Sequence, residues 1–211
     1  MDFDFKKSVE EYLVHLSEVE GYVKEAERIR NQTVIPAINE LRYAGRYMSE
    51  IYLALISGVH SDNSDDVKVV IRDKLRDANF SCLKAKHDVM DAVRGQLHAD
   101  YMVLRKEFTP SVVRKTLPKH DDMLALGKEI DRCQTDSRKD RDNIDEHYGD
   151  MFKNYYPKVL EYLSLMSDPL TIESLHSECK SNRRKSLYTA AGIFLAALGL
   201  LVGVAQLLKG P

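Results

Sequence analysis

Glycine is sparse and scattered in this sequence. The 211 residues include ten glycines, of which six precede position 187, at 21, 45, 58, 95, 127 and 149. A loop that cradles phosphate needs several glycines close together, so P-loop and Rossmann nucleotide sites are excluded. The metalloprotease pattern H-E-x-x-H and the hydrolase pattern G-x-S-x-G are absent as well.

Cysteine and net charge are also low. Cys82, Cys133 and Cys179 lie far apart and form no C-x-x-C pair. This is typical of free thiols in a reducing compartment, and it argues against a disulfide framework or a zinc site. The formal net charge is -2, so no global basic field favours nucleic acid. The first residues carry acids and lack the apolar core of a secretory signal. We expect neither a metal nor a cofactor.

One long stretch lacks charge altogether, from Leu187 to Leu208. A helix of about 20 apolar residues can cross the hydrocarbon core of a bilayer. A basic cluster precedes it: Lys180, Arg183, Arg184 and Lys185. Because basic residues stay on the cytoplasmic side, we predict a cytoplasmic helical bundle in residues 1–168, a juxtamembrane basic connector in 169–186 and a transmembrane helix in 187–208. The protein would be single-pass and in contact with membrane lipid, in the inner membrane if it is bacterial.

Small and polar residues recur along this tail at spacings of three and four, which place them on one stripe of a helix: Thr189, Gly192, Ala196, Gly199, Gly203 and Gln206. Small residues let membrane helices approach closely, and threonine and glutamine can hydrogen-bond across the interface. We therefore expect the tail to form a homo-oligomer. A pore around a narrow, polar-ended axis is the stronger form of this inference.

The rest of the chain has the apolar period of amphipathic helices and no alternation typical of strands. We predict an all-α fold, an antiparallel bundle of about five helices followed by one C-terminal transmembrane helix. The seam of the second helix is predicted to include Gly45 and Tyr52, with another helix passing close to Gly45. The third helix is predicted to be long, a fourth to contain Met123–Ile130, and a fifth to run from Asp136 to Leu163 with a kink at Pro157.

One motif suggests catalysis. Arg141 and His147 are separated by five residues at the predicted start of the last soluble helix. This pattern resembles the Arg-x4–6-His signature of HEPN proteins, and the stretch Ile38–Arg46 resembles the second helix of their bundles. The resemblance implies a dimerising bundle that cuts RNA without a metal, with Arg141 stabilising the phosphate and His147 acting as acid or base toward a ribose 2′-hydroxyl.

The surroundings of this motif are acidic, with Asp136, Asp140, Asp142, Asp145, Glu146 and Asp150 outnumbering the nearby basic residues. RNA binding depends on neutralising phosphate, so RNA is not the favoured partner. The spacing also recurs between Arg114 and His120. The combination of bundle, membrane helix and divergent motif resembles small membrane accessory and effector proteins of prokaryotic antiviral defence, although we expect many of those to carry the membrane helix at the front.

Three functions are compatible with the sequence. The favoured one is an oligomeric membrane effector whose tails assemble, with a pore as its stronger form. The second is a membrane-tethered ribonuclease that depends on Arg141 and His147. The third is a tail-anchored adaptor without enzymatic activity, whose bundle docks a protein partner.

Overall fold

The computed structural model describes residues 4–58, 64–140 and 143–208, and it describes side-chain surroundings for these residues except 58, 64–66, 199 and 201–208. Within these ranges the regular structure is entirely helical. The helices are α1 (Phe5–Arg30), α2 (Ile35–Gly58), α3 (Ser64–Glu107), α4 (Pro110–Thr116), α5 (His120–Lys139), α6 (Ile144–Asn154), α7 (Tyr156–Ser167) and α8 (Pro169–Leu208). The predicted all-α class is confirmed.

Polar caps and prolines set several helix ends. Asp4 caps α1, accepting a hydrogen bond from the backbone N–H of Lys7 at 3.1 Å. The helix ends at Asn31, whose φ of 50° is left-handed, a conformation that asparagine tolerates better than most residues. Pro110 and Pro169 each open a helix, where the missing N–H has no intrahelical role.

The long helix α3 forms the centre of the bundle, packing against α1, α2, α5, α6 and α7. Its buried seam contains several small side chains, among them Ala78, Cys82 and Ala85, which are fully buried. Small residues on this seam let neighbouring helices approach closely. The prediction of a long third helix with a continuous apolar seam is confirmed.

The predicted seam of α2 is partly wrong. Ile51 and Ala44 are buried, whereas Gly45 is exposed and Tyr52 is 65% exposed. A Cβ atom built on Gly45 would meet no atom within 4 Å, so none of the described helices passes close to it. The core face of α2 is therefore centred on Ala37, Ala44 and Ile51, and Ile38, Leu41 and Met48, which share the predicted face with Gly45, pack beside it half-buried. The displacement from the predicted face is less than the roughly 100° that separates one residue from the next around a helix.

The region after α3 contains more helices than expected. Pro110 and Pro118 predict a short connector between the third and fourth helices, but this stretch contains α4, which buries Val112 and Val113. The charged residues 136–139 complete α5 instead of opening the next helix. The predicted kink near Pro157 is a break at Tyr155, which separates α6 from α7. A hydroxyl hydrogen bond from Tyr156 to the carbonyl of Tyr22, at 3.2 Å, links α7 to α1.

The first turns of α8 pack on the bundle, and the rest of its described length does not. Leu175 is 1% exposed, and the Lys115 ammonium lies 2.8 Å from the Glu178 carboxylate. From Arg183 to Leu198 every side chain is exposed. Over its described residues, no helix is both long enough and apolar enough to cross a membrane.

Candidate functional site

The predicted catalytic histidine lies at the junction of α5 and α6. His147 is in the first turns of α6, and its Nε2 atom is 3.5 Å from the Oδ2 atom of Asp140. Asn143 donates to both oxygens of the same carboxylate, at 3.2 and 3.0 Å. These contacts, that of Asn143 first, lower the pKa of Asp140. Arg141, the other predicted catalytic residue, lies outside the described residues.

A second histidine contacts the first turn of α6 from the neighbouring helix α3. His87 on α3 places Nε2 3.3 Å from Oδ1 of Asp145, and its ring stacks on Tyr148 with 3.8 Å between centroids. Burial lowers the pKa of His87, while Asp145 and Asp91 act in the opposite direction. Among the described residues, the Nε2 atoms of His87 and His147 are buried without a partner in hydrogen-bond geometry.

Asp91 joins three helices at the base of this cluster. Its Oδ1 atom accepts a hydrogen bond from the Tyr148 hydroxyl at 3.0 Å and a very short one from the Gln134 amide. Burial first, and then Asp91, raise the pKa of Tyr148, so the phenol stays protonated. The hydroxyl of Ser137, which is buried one turn further along α5, donates a hydrogen bond to the backbone carbonyl of Gln134 at 2.9 Å. The arrangement fixes α6 against α3 and α5.

The cluster places the imidazoles of His87 and His147 beside carboxylates. A carboxylate can orient an imidazole for proton transfer, but cleavage of RNA also requires a cation for the phosphate. Asp91 and Asp145 lie near His87, Asp140 lies beside His147, and Asp88, whose pKa is raised by burial, lies near Asp91. These four carboxylates outnumber the described cations that act on His87 and on Tyr148, which are Lys86 and Arg138 respectively. The described part of the cluster is therefore more suited to holding the junction together than to binding a polyanion.

The sequence pointed to His147 but missed His87, Asp91, Gln134 and Tyr148. His87 and His98 lie too far apart along one helix to bind one metal, so the sequence predicts ordinary surface histidines at both positions. The side chain of His87 is nevertheless only 16% exposed. Gln134 and Ser137 were detectable as polar residues in register with the apolar seam of α5, because they follow Ile130 by four and seven positions. Among the described residues, no group of three or more potential ligands could hold a metal ion.

The predicted tail stripe lies on the part of α8 beyond the bundle. The Thr189 hydroxyl donates to the carbonyl of Lys185 at 2.9 Å, within its own helix. A Cβ atom on Gly192 would meet nothing within 4 Å, and Ala196 is exposed. Gly199, Gly203 and Gln206 continue the helix, but their side-chain surroundings lie outside the description.

The basic cluster of the connector is exposed to solvent. Lys180, Arg183, Arg184 and Lys185 are all on the surface of α8, and none forms an ion pair with a described residue. Comparison with known proteins adds no relative to this picture, because the chain matches no protein-family model, no curated protein and no solved structure.

Proposed function

We propose that the protein is a membrane-anchored helical bundle whose tail crosses the bilayer as residues 187–208. The observation that carries this proposal is the exposed, uncharged second half of α8. Leu187, Ile193, Phe194 and Leu195 are each at least 65% exposed, and no element of the described chain covers them. Removing such a side chain from water stabilises by about 1.5–3 kcal/mol, and hydrocarbon supplies that environment.

The basic connector supports an orientation. Each lysine or arginine near an anionic leaflet contributes about 1 kcal/mol of attraction, and Lys180, Arg183, Arg184 and Lys185 have no competing ion pair among the described residues. They hold the connector at the cytoplasmic surface, with the bundle of residues 1–168 in the cytoplasm and the protein single-pass.

Self-association through the small-residue stripe gives the anchored bundle its activity. Thr189, Gly192 and Ala196 are free of contacts with other helices of the described chain, so this face is available to a second copy. On this proposal the chains assemble as an effector or accessory of antiviral defence, and an assembly around a polar-ended axis makes the membrane leaky. An anchored adaptor that docks a protein partner is the alternative that requires no assembly.

A tethered ribonuclease is the less favoured alternative. It requires RNA to approach His147 past the carboxylates of Asp140 and Asp145, which repel phosphate. If this alternative holds, purified protein cleaves single-stranded RNA and the substitution His147→Ala abolishes the cleavage. Under the favoured proposal the protein does not cleave RNA, and His147→Ala leaves membrane activity unchanged.

Membrane insertion is tested by flotation of the full chain with vesicles of phosphatidylethanolamine and phosphatidylglycerol. We expect the wild-type protein to float with the vesicles and to resist extraction at alkaline pH. Leu195→Arg combined with Leu198→Arg places two charges in the uncharged stretch, at a cost of about 2.5–3.5 kcal/mol each near the centre of a membrane helix. This variant should be extracted.

The matched control is Ser186→Arg, which adds a charge just before the uncharged stretch. It should float and resist extraction as the wild type does, because another basic residue at the membrane surface is compatible with insertion. Alkaline extraction of the wild-type chain, or equal behaviour of the double variant and the wild type, would refute the membrane anchor.

A further inference from the structure

A cavity of about 240 Å³ lies between α3, α5 and α7, at the opposite end of α5 from the His147 cluster. Leu97, Met123 and Leu124 form its apolar wall. On α5, Gly127 also faces the cavity, and a Cβ atom built there would have only Leu97 Cδ2 nearby, at 3.9 Å. The absence of a side chain at position 127 therefore contributes to the open space.

Aromatic rings line the inner part of this cavity. Tyr101 and His120 lie nearly parallel, with 6.0 Å between ring centroids and 26° between planes. The Nδ1 atom of His120 is 3.4 Å from the Tyr162 hydroxyl. His120 and Tyr162 are both buried, and burial lowers the pKa of His120 and raises the pKa of Tyr162 to about 12. His120 and Tyr162 are therefore uncharged at neutral pH; the carboxylate of Asp100, which is not among the lining residues, also acts to raise the pKa of Tyr162.

The mouth of the cavity carries an excess of positive charge. Arg94 is neutralised by Asp131, with 2.5 Å between Nε and Oδ1. Lys128 also lines the mouth and is exposed, and it has no ion pair with a described residue. His98 lies beside it on α3. The ammonium of Lys128 is thus a cation without an ion pair among the described residues, at the entrance to an apolar, aromatic space.

The dimensions limit what this space can hold. Sites for drug-sized ligands usually measure about 300–1,000 Å³, so a nucleotide is too large for this one. A single aromatic ring fits, and the three rings of the wall offer it stacked or edge-on contacts. The unneutralised ammonium of Lys128 favours one negative charge at the open end.

We infer that this cavity is a binding site for a small aromatic monoanion, of which benzoate is the simplest example. The ring would lie against Leu97, Met123 and the aromatic wall, and the carboxylate would pair with Lys128 at the mouth. His120 lines the cavity and its Nδ1 atom faces the Tyr162 hydroxyl, so Nε2 is the ring nitrogen that would hydrogen-bond the ligand. The site is separate from the tail, so it does not depend on the proposed membrane function.

Calorimetric titration of the full chain in mild detergent tests this inference, with sodium benzoate and neutral benzamide as the two probes. We expect saturable binding of benzoate, with a Kd of about a millimolar or tighter for so few atoms. Benzamide has the same shape without the charge, and it should bind about fivefold more weakly. Lys128→Gln should remove this difference between the probes.

Two matched pairs of variants separate a built site from unspecific uptake into detergent. Gly127→Leu fills the cavity and should abolish binding of both probes, whereas Gly127→Ala should retain it. Lys158→Gln, at an exposed lysine on α7 outside the cavity, should bind as the wild type does. Absence of saturable binding, equal affinity for the two probes, or binding unchanged by Gly127→Leu would each overturn the inference. If Gly127→Leu does not fold, the comparison of Lys128→Gln with Lys158→Gln decides.

Discussion

The imidazole of His87 is held between the ring of Tyr148 and the carboxylate of Asp145. Its pKa is lowered because burial opposes the charged form more strongly than the two nearby carboxylates favour it. His120 has a lowered pKa for the same first cause. Both side chains are therefore neutral parts of the packed interior at pH 7, and neither acts as a surface charge.

Stability should fall in mildly acidic solution because of these histidines. The folded-state pKa of His87 lies below the value of about 6.5 for an unfolded chain, so the unfolded state binds the proton more tightly. Its contribution is present above pH 6.5 and is lost as the pH falls through the folded-state value. The substitution His87→Phe keeps the stacking on Tyr148, and it should make the free energy of unfolding less dependent on pH.

Urea denaturation at several pH values between about 8 and 5 measures this dependence. His98→Gln alters an exposed histidine and serves as the control. Its free energy of unfolding should depend on pH as that of the wild type does. A profile for His87→Phe identical to that of the wild type would mean that His87 is not the group responsible.

Single residues show where reading the sequence succeeds and where it stops. The Arg141…His147 pattern located the α5–α6 junction, but pattern alone could not reveal that His147 lies beside Asp140 or that His87 approaches from α3. His147 and Asp140 are close in sequence but lie on either side of the α5–α6 junction, so their contact depends on how the two helices meet. The contact of His87 with Asp145 joins residues that are far apart in sequence. The cavity was invisible for the same reason, since His120 and Tyr162 are 42 positions apart.

At the scale of the element, helix α2 shows why the sequence alone did not identify its buried face. Apolar residues occupy more than one of its faces, and Tyr43, Tyr52, Leu53 and Ile56 are all at least half exposed. Two stripes therefore satisfy the helical period, and spacing alone could not choose between them. In α3 the exposed face carries charged residues along much of its length, although Val69, Val70, Phe80, Met102 and Val103 are also exposed. One continuous apolar seam was therefore evident from the sequence.

Neighbouring substitutions on α2 test its orientation. Ile51 is 2% exposed and Tyr52 is 65% exposed. Ile51→Ala should lower the free energy of unfolding by about 2–5 kcal/mol, because it removes buried methyl groups and leaves a cavity. Tyr52→Ala should change it by less than about 0.5 kcal/mol. Chemical denaturation of both variants checks this, and equal losses would contradict the orientation of α2.

For the molecule as a whole, the proposed assembly predicts a mass several times that of one chain, which is 24.1 kDa. Light scattering of the full chain in mild detergent measures it. The double substitution Gly199→Leu with Gly203→Leu places large side chains on the small-residue stripe. It should reduce the mass to that of one chain, since close approach of membrane helices needs small residues.

Val202→Leu with Val204→Leu is the matched control, because it enlarges side chains outside the stripe. This variant should keep the mass of the wild type. A single-chain mass for the unaltered protein would rule out assembly through the tail and leave the anchored adaptor.

At this scale the helical class and the long third helix followed directly from the apolar period. The number of helices did not, because α4 is short and its two buried valines resemble loop residues in a sequence. The division into α6 and α7 was signalled by Pro157, but whether a proline bends a helix or ends it depends on what packs around it, here the contact of Tyr156 with Tyr22.

Helix α8 contains neither glycine nor proline between Leu170 and Ala191, and it continues without a break from its packed first turns to Leu208. It therefore has no hinge at the point where it leaves the bundle. A continuous α-helix is stiff to twisting, so a rotation of α4 or α7 that carries Leu175 with it turns the tail through the same angle. A rotation within the bundle is therefore coupled directly to a rotation of the tail.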